Sequence, residues 1–249
     1  MRLLDHVFLS VGYYLSWVVF GLVGVLLNVV CIPFLVLPRR ERFGTRTRAA
    51  IRKLFVFWLK WHHMTRVVNV RWRFEASELT TGTVYVANHP TILDATFLLA
   101  RLPDAICIFK PKLINNPSIG PAALLAGYAA GDTGVDLIRD VAEKIAAGRS
   151  LLIFPEGTRT TAGQKLNPIK PGFALIARRA GAPIRMIIVR SSRNLTPRGR
   201  AWWRLPDFPS WVEFTLGDEI PADSPLSVSE ISAEVERRFL NVVERVSSS

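Results

Sequence analysis

The segment TVYVANHPTILDATFLLA, residues 83–100, decides the fold because it passes from a strand to a helix within a few residues. Residues 83–87 have the β-branched and apolar composition of a buried strand, and the apolar residues 95–100 predict a helix. His89 and Asp94 lie at the junction. Pro90 biases His89 away from helical geometry, so we expect His89 on a loop that folds back over Asp94 in the first helical turn.

The His-x4-Asp pair has a catalytic and a structural interpretation. A histidine titrates near neutral pH and can accept a proton from an alcohol. A neighbouring carboxylate can hold the imidazole in one tautomer and stabilise the imidazolium that forms. Thr91 and Asp94 also fit a capping box, in which the carboxylate only satisfies helix amides. The pair alone does not decide between the two.

Short apolar strands alternate with helical patterns along the rest of the chain. Further strands are predicted at residues 67–74, 105–109, 150–154, 184–189 and 211–216, and helices at 136–147, 173–180 and 227–246. This alternation predicts an α/β fold with a central mixed sheet flanked by helices.

The N-terminal region carries a long uncharged segment. No Asp, Glu, Lys or Arg occurs between residues 7 and 38, and about 20 apolar residues suffice to cross the hydrocarbon of a bilayer. The segment is too long for a signal peptide, and no small-x-small cleavage site follows it. Pro33 should break or kink the helix near its end, and Asn28 is a polar flaw in it. A single span and a kinked helix pair dipping into one leaflet both fit this membrane-anchoring helical segment.

A basic cluster follows directly. Only Glu41 opposes Arg39, Arg40, Arg42, Arg46, Arg48, Arg52 and Lys53. Such a cluster predicts the cytoplasmic side of the membrane and attracts anionic headgroups. Apolar residues recur at helical spacing over residues 51–61, which predicts an interfacial helix with Trp58 and Trp61 at headgroup depth. The alternative is a basic amphipathic helix packed on the globular domain.

The composition favours a membrane partner over nucleic acid. The formal net charge is +12 and 49% of the residues are hydrophobic, which fits either an anionic membrane surface or nucleic acid. The basic cluster beside the uncharged segment is explained more simply by lipid headgroups. Cys31 and Cys107 are predicted to be buried apolar residues, since their spacing suits neither a disulfide framework nor a metal. His62 and His63 are predicted on the surface.

A second chemical segment, FPEGTR at residues 154–159, ends the fourth long strand in a turn. Gly157 lets the backbone approach a ligand, and Arg159 offers a planar fork suited to a phosphate. Glu156 can orient that arginine or a hydroxyl group. Lys165 and Lys170 add positive charge in the same loop. The alternative is a polar turn with a solvated arginine.

Taken together, residues 88–94 and 154–159 at this spacing resemble the paired motifs of the lysophospholipid and glycerolipid acyltransferase family, the phosphatidate-forming type. The segments KPKL at 110–113, KPG at 170–172 and GAPI at 181–184 are similar to further stretches of that family. The resemblance covers residues 65–220 and fits the N-terminal membrane segment.

The resemblance implies a membrane-bound enzyme with two parts. Residues 1–64 would form the membrane anchor and residues 65–249 the acyltransferase domain, on the cytoplasmic face of the cytoplasmic (inner) membrane. An acyl group would pass from a thioester, acyl-ACP or acyl-CoA, to the hydroxyl of 1-acylglycerol-3-phosphate to give phosphatidate. No metal, cofactor or nucleic acid is implied.

The resemblance also assigns roles to residues. His89 would be the general base and Asp94 its partner. The acceptor headgroup would be bound by Glu156, Gly157, Thr158 and Arg159, with Lys110 adding positive charge.

Two departures from the family pattern concern the acceptor. Arg185-Met186 stands where the fourth motif of the family carries a second proline. In GYAAGDT, residues 127–133, Thr133 stands where the family carries a phosphate-binding arginine. Losing one charge-assisted hydrogen bond costs on the order of 1.5–3 kcal/mol, and Arg185 is expected to compensate from a neighbouring strand. An acceptor without a phosphomonoester, such as a lyso-aminolipid, therefore stays open. So does a catalytically silent lipid-binding protein, although such a protein needs neither His89 nor Asp94.

Overall fold

A computed structural model describes residues 3–131, 134–192 and 195–247. Its strands are β1 (Val68–Trp72), β2 (Val84–Ala87), β3 (Ala105–Phe109), β4 (Ala129–Ala130), β5 (Ser150–Ile153), β6 (Ile184–Ser191) and β7 (Ser210–Ile220). Its α-helices are α1 (Leu3–Leu35), α2 (Gly44–Thr65), α3 (Asp94–Arg101), α4 (Gly120–Leu125), α5 (Val135–Ala146), α6 (Gly172–Ala180) and α7 (Val228–Ser247).

The strands form one mixed sheet in the order β1-β7-β6-β2-β5-β3-β4. β6 and β7 pair antiparallel, and the other pairs of neighbouring strands are parallel. The prediction of a central mixed sheet flanked by helices is confirmed, and the predicted strands match β1, β2, β3, β5, β6 and β7 within a few residues. The sequence did not predict β4, which has two residues, or α4, which has six, because elements this short show no periodicity.

Successive side chains of each strand point to opposite faces of the sheet, so the sheet separates two apolar cores. Tyr85 and Leu152 belong to the core that includes side chains of α1, α2 and α3. Val84, Val86 and Leu151 belong to the other core, with side chains of α5, α6 and α7. Because the central strands are covered on both faces, they are apolar without interruption rather than alternating.

Helix α1 is one continuous helix with Pro33 in its last turn. One side of it is docked on the domain, and its buried residues are Gly12, Tyr13, Ser16, Gly24, Asn28 and Cys31. A Cβ atom on Gly24 would lie only 2.7 Å from the Ser118 carbonyl oxygen, so α1 and the α4 region approach closely there. Asn28 is no flaw in this setting, since its Oδ1 accepts the Ala122 amide of α4 at 2.7 Å.

Helix α2 packs between α1 and the sheet. Trp58 is 1% exposed, its ring contacts those of Trp17, Phe20 and Phe97, and its indole N–H donates to the Ser16 carbonyl at 3.1 Å. The prediction of Trp58 at headgroup depth is therefore wrong, and the alternative of a helix packed on the domain describes this side chain. The reason is α1, which covers the apolar side of α2.

His62 is buried in the same region, so its predicted place on the surface is wrong, whereas His63 is exposed. Neither ring nitrogen of His62 has a hydrogen-bond partner among the described residues. Burial lowers the pKa of His62 from 6.5 to about 3, which makes the ring neutral at physiological pH. Cys31 and Cys107 are both buried, as predicted. The division into residues 1–64 and 65–249 stays a prediction.

Candidate active site

The two predicted site motifs, residues 88–94 and 154–159, lie close together because β2 and β5 are parallel neighbours. Val86 of β2 is in register with Ile153 of β5. Both segments, residues 88–94 and 154–159, therefore follow the carboxyl ends of parallel strands and lie at the same end of the sheet. Open α/β sheets bind their ligands at this end. His89 and Glu156, 67 residues apart along the chain, are therefore in direct contact in space.

Asn88 fixes the backbone immediately before His89. Its Nδ2 donates to the Val189 carbonyl at 2.8 Å, and its Oδ1 accepts the Val189 amide at 2.7 Å. The side-chain amide thereby continues the pairing of β2 with β6 beyond the last residue of β2. No role was predicted for Asn88, and its amide offers the same donor and acceptor as a peptide group.

The predicted base and its partner are in contact. The Nδ1 of His89 lies 3.0 Å from Oδ2 of Asp94, whose side chain is 0% exposed at the start of α3. An ionised carboxylate can only accept, so Nδ1 carries the proton and Nε2 keeps its lone pair. The loop folds back over the first helical turn as predicted.

Asp94 also binds the loop before α3, which has no side-chain cap hydrogen bond. It accepts the Thr91 amide at 2.8 Å and the Thr91 hydroxyl at 2.6 Å. The carboxylate is thus held by three hydrogen bonds, one of them from the imidazole. The carboxylate therefore fixes the loop 89–91 and does not cap the amides of α3.

The ring of His89 is held from the other side by Phe154. The two rings stack with their centroids 4.0 Å apart and an angle of 21° between their planes. The side chain of His89 keeps 17% exposure, and it lines a cleft. The imidazole is therefore fixed in orientation and still reachable by a ligand.

Glu156 binds the backbone of His89. Its Oε1 accepts the His89 amide at 2.9 Å, its Oε2 accepts the Asn167 amide at 2.9 Å, and both oxygens lie 3.0 Å from the Thr160 hydroxyl. The Thr160 amide in turn donates to the His89 carbonyl at 2.7 Å. Both backbone polar groups of His89 are thus bound by the segment 156–160.

This position differs from the predicted one. Glu156 is 4% exposed and does not line the cleft, so it holds the His89 loop and the Thr160 hydroxyl rather than facing a headgroup. Its carboxylate makes no ion pair with Arg159 in the described part of the chain. The contact depends on which strands are neighbours in the sheet, and no signal in the sequence pattern contains that information.

Arg159 lines the cleft with part of its fork free. Its Nη1 donates to the carbonyls of Thr196 at 2.8 Å and Pro197 at 3.0 Å. Its Nε and Nη2 have no partner among residues 3–131, 134–192 and 195–247. Burial lowers the pKa of Arg159, the Asp94 carboxylate acts in the opposite direction, and Arg198 adds to the lowering.

Gly157 permits the turn that places Arg159. Its φ of +67° lies in the left-handed region that favours glycine. A Cβ atom at this position would also lie 3.3 Å from Nζ of Lys170. The turn therefore brings two cationic side chains to the same wall of the cleft.

The cleft has a volume of about 430 Å³ and combines positive charge with apolar surface. Its basic residues are Lys110, Lys112, Arg159 and Lys170, and its large apolar residues are Ile92, Ile108, Phe109, Leu113, Ile153, Phe154 and Phe173. Among the described residues, no carboxylate belongs to the lining. Of the predicted site residues, His89, Lys110, Gly157, Thr158 and Arg159 face this cleft. Such a lining suits an amphiphile with an anionic headgroup.

One further expectation, which concerns Arg185, is not met by the described residues. Arg185 is the second residue of β6 and is in register with Tyr85 of β2. It pairs with Glu219 at 3.5 Å. The expectation that it replaces a phosphate-binding arginine is wrong because β6 runs parallel to β2 and starts at the opposite edge of the sheet. Thr133 lies outside the described residues. No group of three or more potential metal ligands occurs among the residues that are described.

The fold and this edge of the sheet identify the class of protein. The sequence model of the Acyltransferase family matches residues 67–190, about half of the chain, and includes both chemical segments. The chain belongs to this acyltransferase family.

Particular relatives are similar to different extents. The 1-acyl-sn-glycerol-3-phosphate acyltransferase of Helicobacter pylori is 33% identical over 154 residues, which are 54% of this chain and 65% of the relative. A protein of the same description from Cocos nucifera is 33% identical over 118 residues, 44% of this chain and 38% of the relative. The alignments therefore span less than two thirds of these relatives.

A solved structure has the same fold. The crystal structure of the 1-acyl-sn-glycerophosphate (LPA) acyltransferase PlsC from Thermotoga maritima superimposes with a TM-score of 0.73, covering 100% of this chain and 99% of that one. The sequence identity is 20%, so this likeness concerns the fold.

Proposed function

We propose that this protein transfers a fatty acyl group from the thioester of acyl-CoA or acyl-ACP to the hydroxyl of 1-acylglycerol-3-phosphate. The products are phosphatidate and the free thiol of the carrier. The observation that carries the proposal is His89, with its Nδ1 bound to buried Asp94 at 3.0 Å and its ring on a cleft that is both basic and apolar. The family and the names of the relatives support the same reaction.

The reaction requires one proton to move twice. As the acceptor hydroxyl attacks the thioester carbonyl, Nε2 of His89 takes its proton and the new C–O bond forms. Asp94 stabilises the imidazolium through Nδ1–H. The C–S bond then breaks, and the departing thiolate receives the proton. A thioester is already activated, so base catalysis and positioning suffice without a covalent enzyme intermediate or a cofactor.

The acceptor phosphate is assigned to the basic wall of the cleft. The free Nε and Nη2 of Arg159 form a fork that can bind two phosphate oxygens, and Lys110 and Lys170 add charge beside it. Glu156 is proposed as a positioning residue for His89, since its oxygens are already bound by backbone amides and the Thr160 hydroxyl.

Membrane association is supported by α1. It is the described helix that is long and apolar enough to cross a bilayer, and its outer side exposes Leu4, Phe8, Val11, Leu22, Leu26 and Val30. Its buried positions extend from Gly12 to Cys31, so the domain accompanies most of the helix. We therefore propose that α1 lies with its exposed side in one leaflet, and that the exposed basic residues of the stretch 39–53 bind anionic headgroups on the cytoplasmic face. Arg48 is not among them, because it is 4% exposed and pairs with Asp104 at 2.6 Å.

The test is an acyl-transfer assay with purified protein in detergent. Labelled acyl-CoA and acyl-ACP are offered with lysophosphatidate and with lysolipids that lack a phosphomonoester. Transfer to lysophosphatidate is expected. Transfer only to the other acceptors would reject the proposed substrate, and no transfer to any acceptor would favour a silent lipid-binding protein.

Arg159→Ala tests the phosphate assignment in the same assay. Losing a charge-assisted bidentate contact should raise the KM for lysophosphatidate by about 10- to 100-fold. Arg178→Ala, at an exposed position of α6, is the matched control and should leave the KM unchanged. An unaltered KM in Arg159→Ala would contradict the assignment.

A further inference from the structure

The segment 195–209, which connects β6 to β7, exposes an unusual pair of aromatic side chains. Trp202 is 44% and Trp203 is 57% exposed. Arg198 and Arg204, both exposed, flank them in the stretch RGRAWWR, residues 198–204, whereas Arg200 donates to the Leu205 carbonyl. Tryptophan is enriched at the level of lipid headgroups, and arginine side chains nearby attract anionic lipids. The composition of this exposed segment therefore matches the surface of an anionic bilayer.

The segment also packs against α1. The Tyr13 hydroxyl donates to the carbonyl oxygen of Trp202, and the Trp202 ring lies 5.1 Å from the ring of Trp17. On the same turns of α1, Tyr14 is 44% and Val18 is 55% exposed. The two tryptophans therefore lie beside the turns of α1 that expose Tyr14 and Val18.

The beginning of the same segment makes hydrogen bonds with residues of the candidate active site. The carbonyls of Thr196 and Pro197 accept the two hydrogen bonds from Nη1 of Arg159. The Thr196 hydroxyl accepts the amide of Ile92 at 3.2 Å, within the His89 loop. Thr196 is fully buried. A shift of this segment would therefore move the arginine assigned to the acceptor phosphate.

We propose that the segment 195–209 is a second membrane-contacting element. It inserts Trp202 and Trp203 into the headgroup region of an anionic bilayer and thereby aligns Arg159 with acceptor lipids at that surface. The membrane contact stands on exposure, charge and packing against α1. The alignment of Arg159 rests on the proposed function.

The membrane contact is tested without any enzymatic readout. An environment-sensitive fluorophore is attached to Trp203→Cys in the full-length chain carrying Cys31→Ala and Cys107→Ala. The matched control carries it at Leu175→Cys, an exposed apolar position of α6 on the opposite side of the sheet. Both proteins are reconstituted into vesicles of equal amounts of phosphatidylcholine and phosphatidylglycerol.

The label at position 203 should shift to shorter wavelength and be quenched by lipid-borne nitroxides, whereas the label at position 175 should be quenched by aqueous iodide. Iodide quenching of equal strength at both positions would overturn the membrane contact. A shift at position 203 that occurs without vesicles and grows with protein concentration would overturn it too, in favour of a contact between copies of the chain.

The coupling to Arg159 is tested by kinetics. Trp203→Ser should raise the KM for lysophosphatidate presented in the same vesicles by about fivefold or more, because the interfacial anchor is lost. The rate with a short-chain, water-soluble acceptor in detergent should stay unchanged, as should both values for Leu175→Ser. An unaltered vesicle KM would overturn the coupling. Because wild-type activity and the fluorescence result are read separately, a failure of the proposed reaction is distinguishable from a failure of the membrane contact.

Discussion

His89 and His62 belong to two regions that treat the same side chain in opposite ways. At the carboxyl edge of the sheet, His89 has a buried carboxylate at 3.0 Å, a stacked ring, and both backbone groups bound. In the core beneath α1, His62 is surrounded by the rings of Trp58 and Phe97 and has no hydrogen-bond partner among the described residues. Burial alone makes a histidine a neutral packing residue, whereas a paired carboxylate and an open face make it suited to proton transfer.

Replacing each histidine in turn is the most direct test of this difference. Losing a general base typically costs about 10²- to 10⁴-fold in rate, so His89→Ala should lower kcat by that factor. His62→Phe keeps an aromatic ring in the same apolar core and should keep kcat within about twofold of the wild type. Initial rates at saturating substrates measure both. Thermal unfolding in detergent shows whether the His89→Ala protein stays folded, and a wild-type kcat in that variant would contradict its role.

The hydrogen bonds around the His89 backbone are tested by Glu156→Gln. A glutamine places an NH₂ group where the carboxylate now accepts from a backbone amide or the Thr160 hydroxyl. Hydrogen bonds to charged groups contribute about 1.5–3 kcal/mol, so kcat should fall by about 10- to 100-fold. The KM for lysophosphatidate should stay constant because Glu156 does not line the cleft. A raised KM with unaltered kcat would instead place Glu156 in the acceptor site, as Arg159→Ala is expected to behave.

The smallest expected effect is on stability in acid, and it comes from His62. The folded state holds the pKa of His62 at about 3, below its ordinary 6.5, so the unfolded chain binds more protons between these values. The contribution of neutral His62 is fully present above pH 6.5 and is lost as the pH falls toward 3. The free energy of unfolding should decrease with a slope approaching about 1.4 kcal/mol per pH unit from this group. Denaturation at several pH values between 7 and 4 should show a shallower dependence for His62→Phe, and parallel curves would refute it.

The sequence predicted contacts between residues that are close along the chain, but not contacts between distant residues. The contact of His89 with Asp94 is local: a strand, a proline and a helix start within residues 83–100 are enough to place it. The burial of Trp58 and His62 depends on α1 covering α2, which no pattern within α2 reveals. The position of Arg185 depends on strand direction, and the contact of Glu156 with the His89 amide depends on β2 and β5 being neighbours. The membrane side of the molecule and the two-part division stay predictions.

The docking of α1 has a consequence for protein engineering. Membrane enzymes are commonly shortened by cutting off the apolar helix to obtain a soluble catalytic fragment. Here Asn28 accepts the amide of Ala122, and the buried side of α1 covers Trp58. A fragment beginning after Leu35 would uncover that tryptophan and leave the start of α4 without its acceptor. Replacing the outward-facing leucines and valines of α1 with polar residues, while keeping Gly24 and Asn28, is the better route to a water-soluble form.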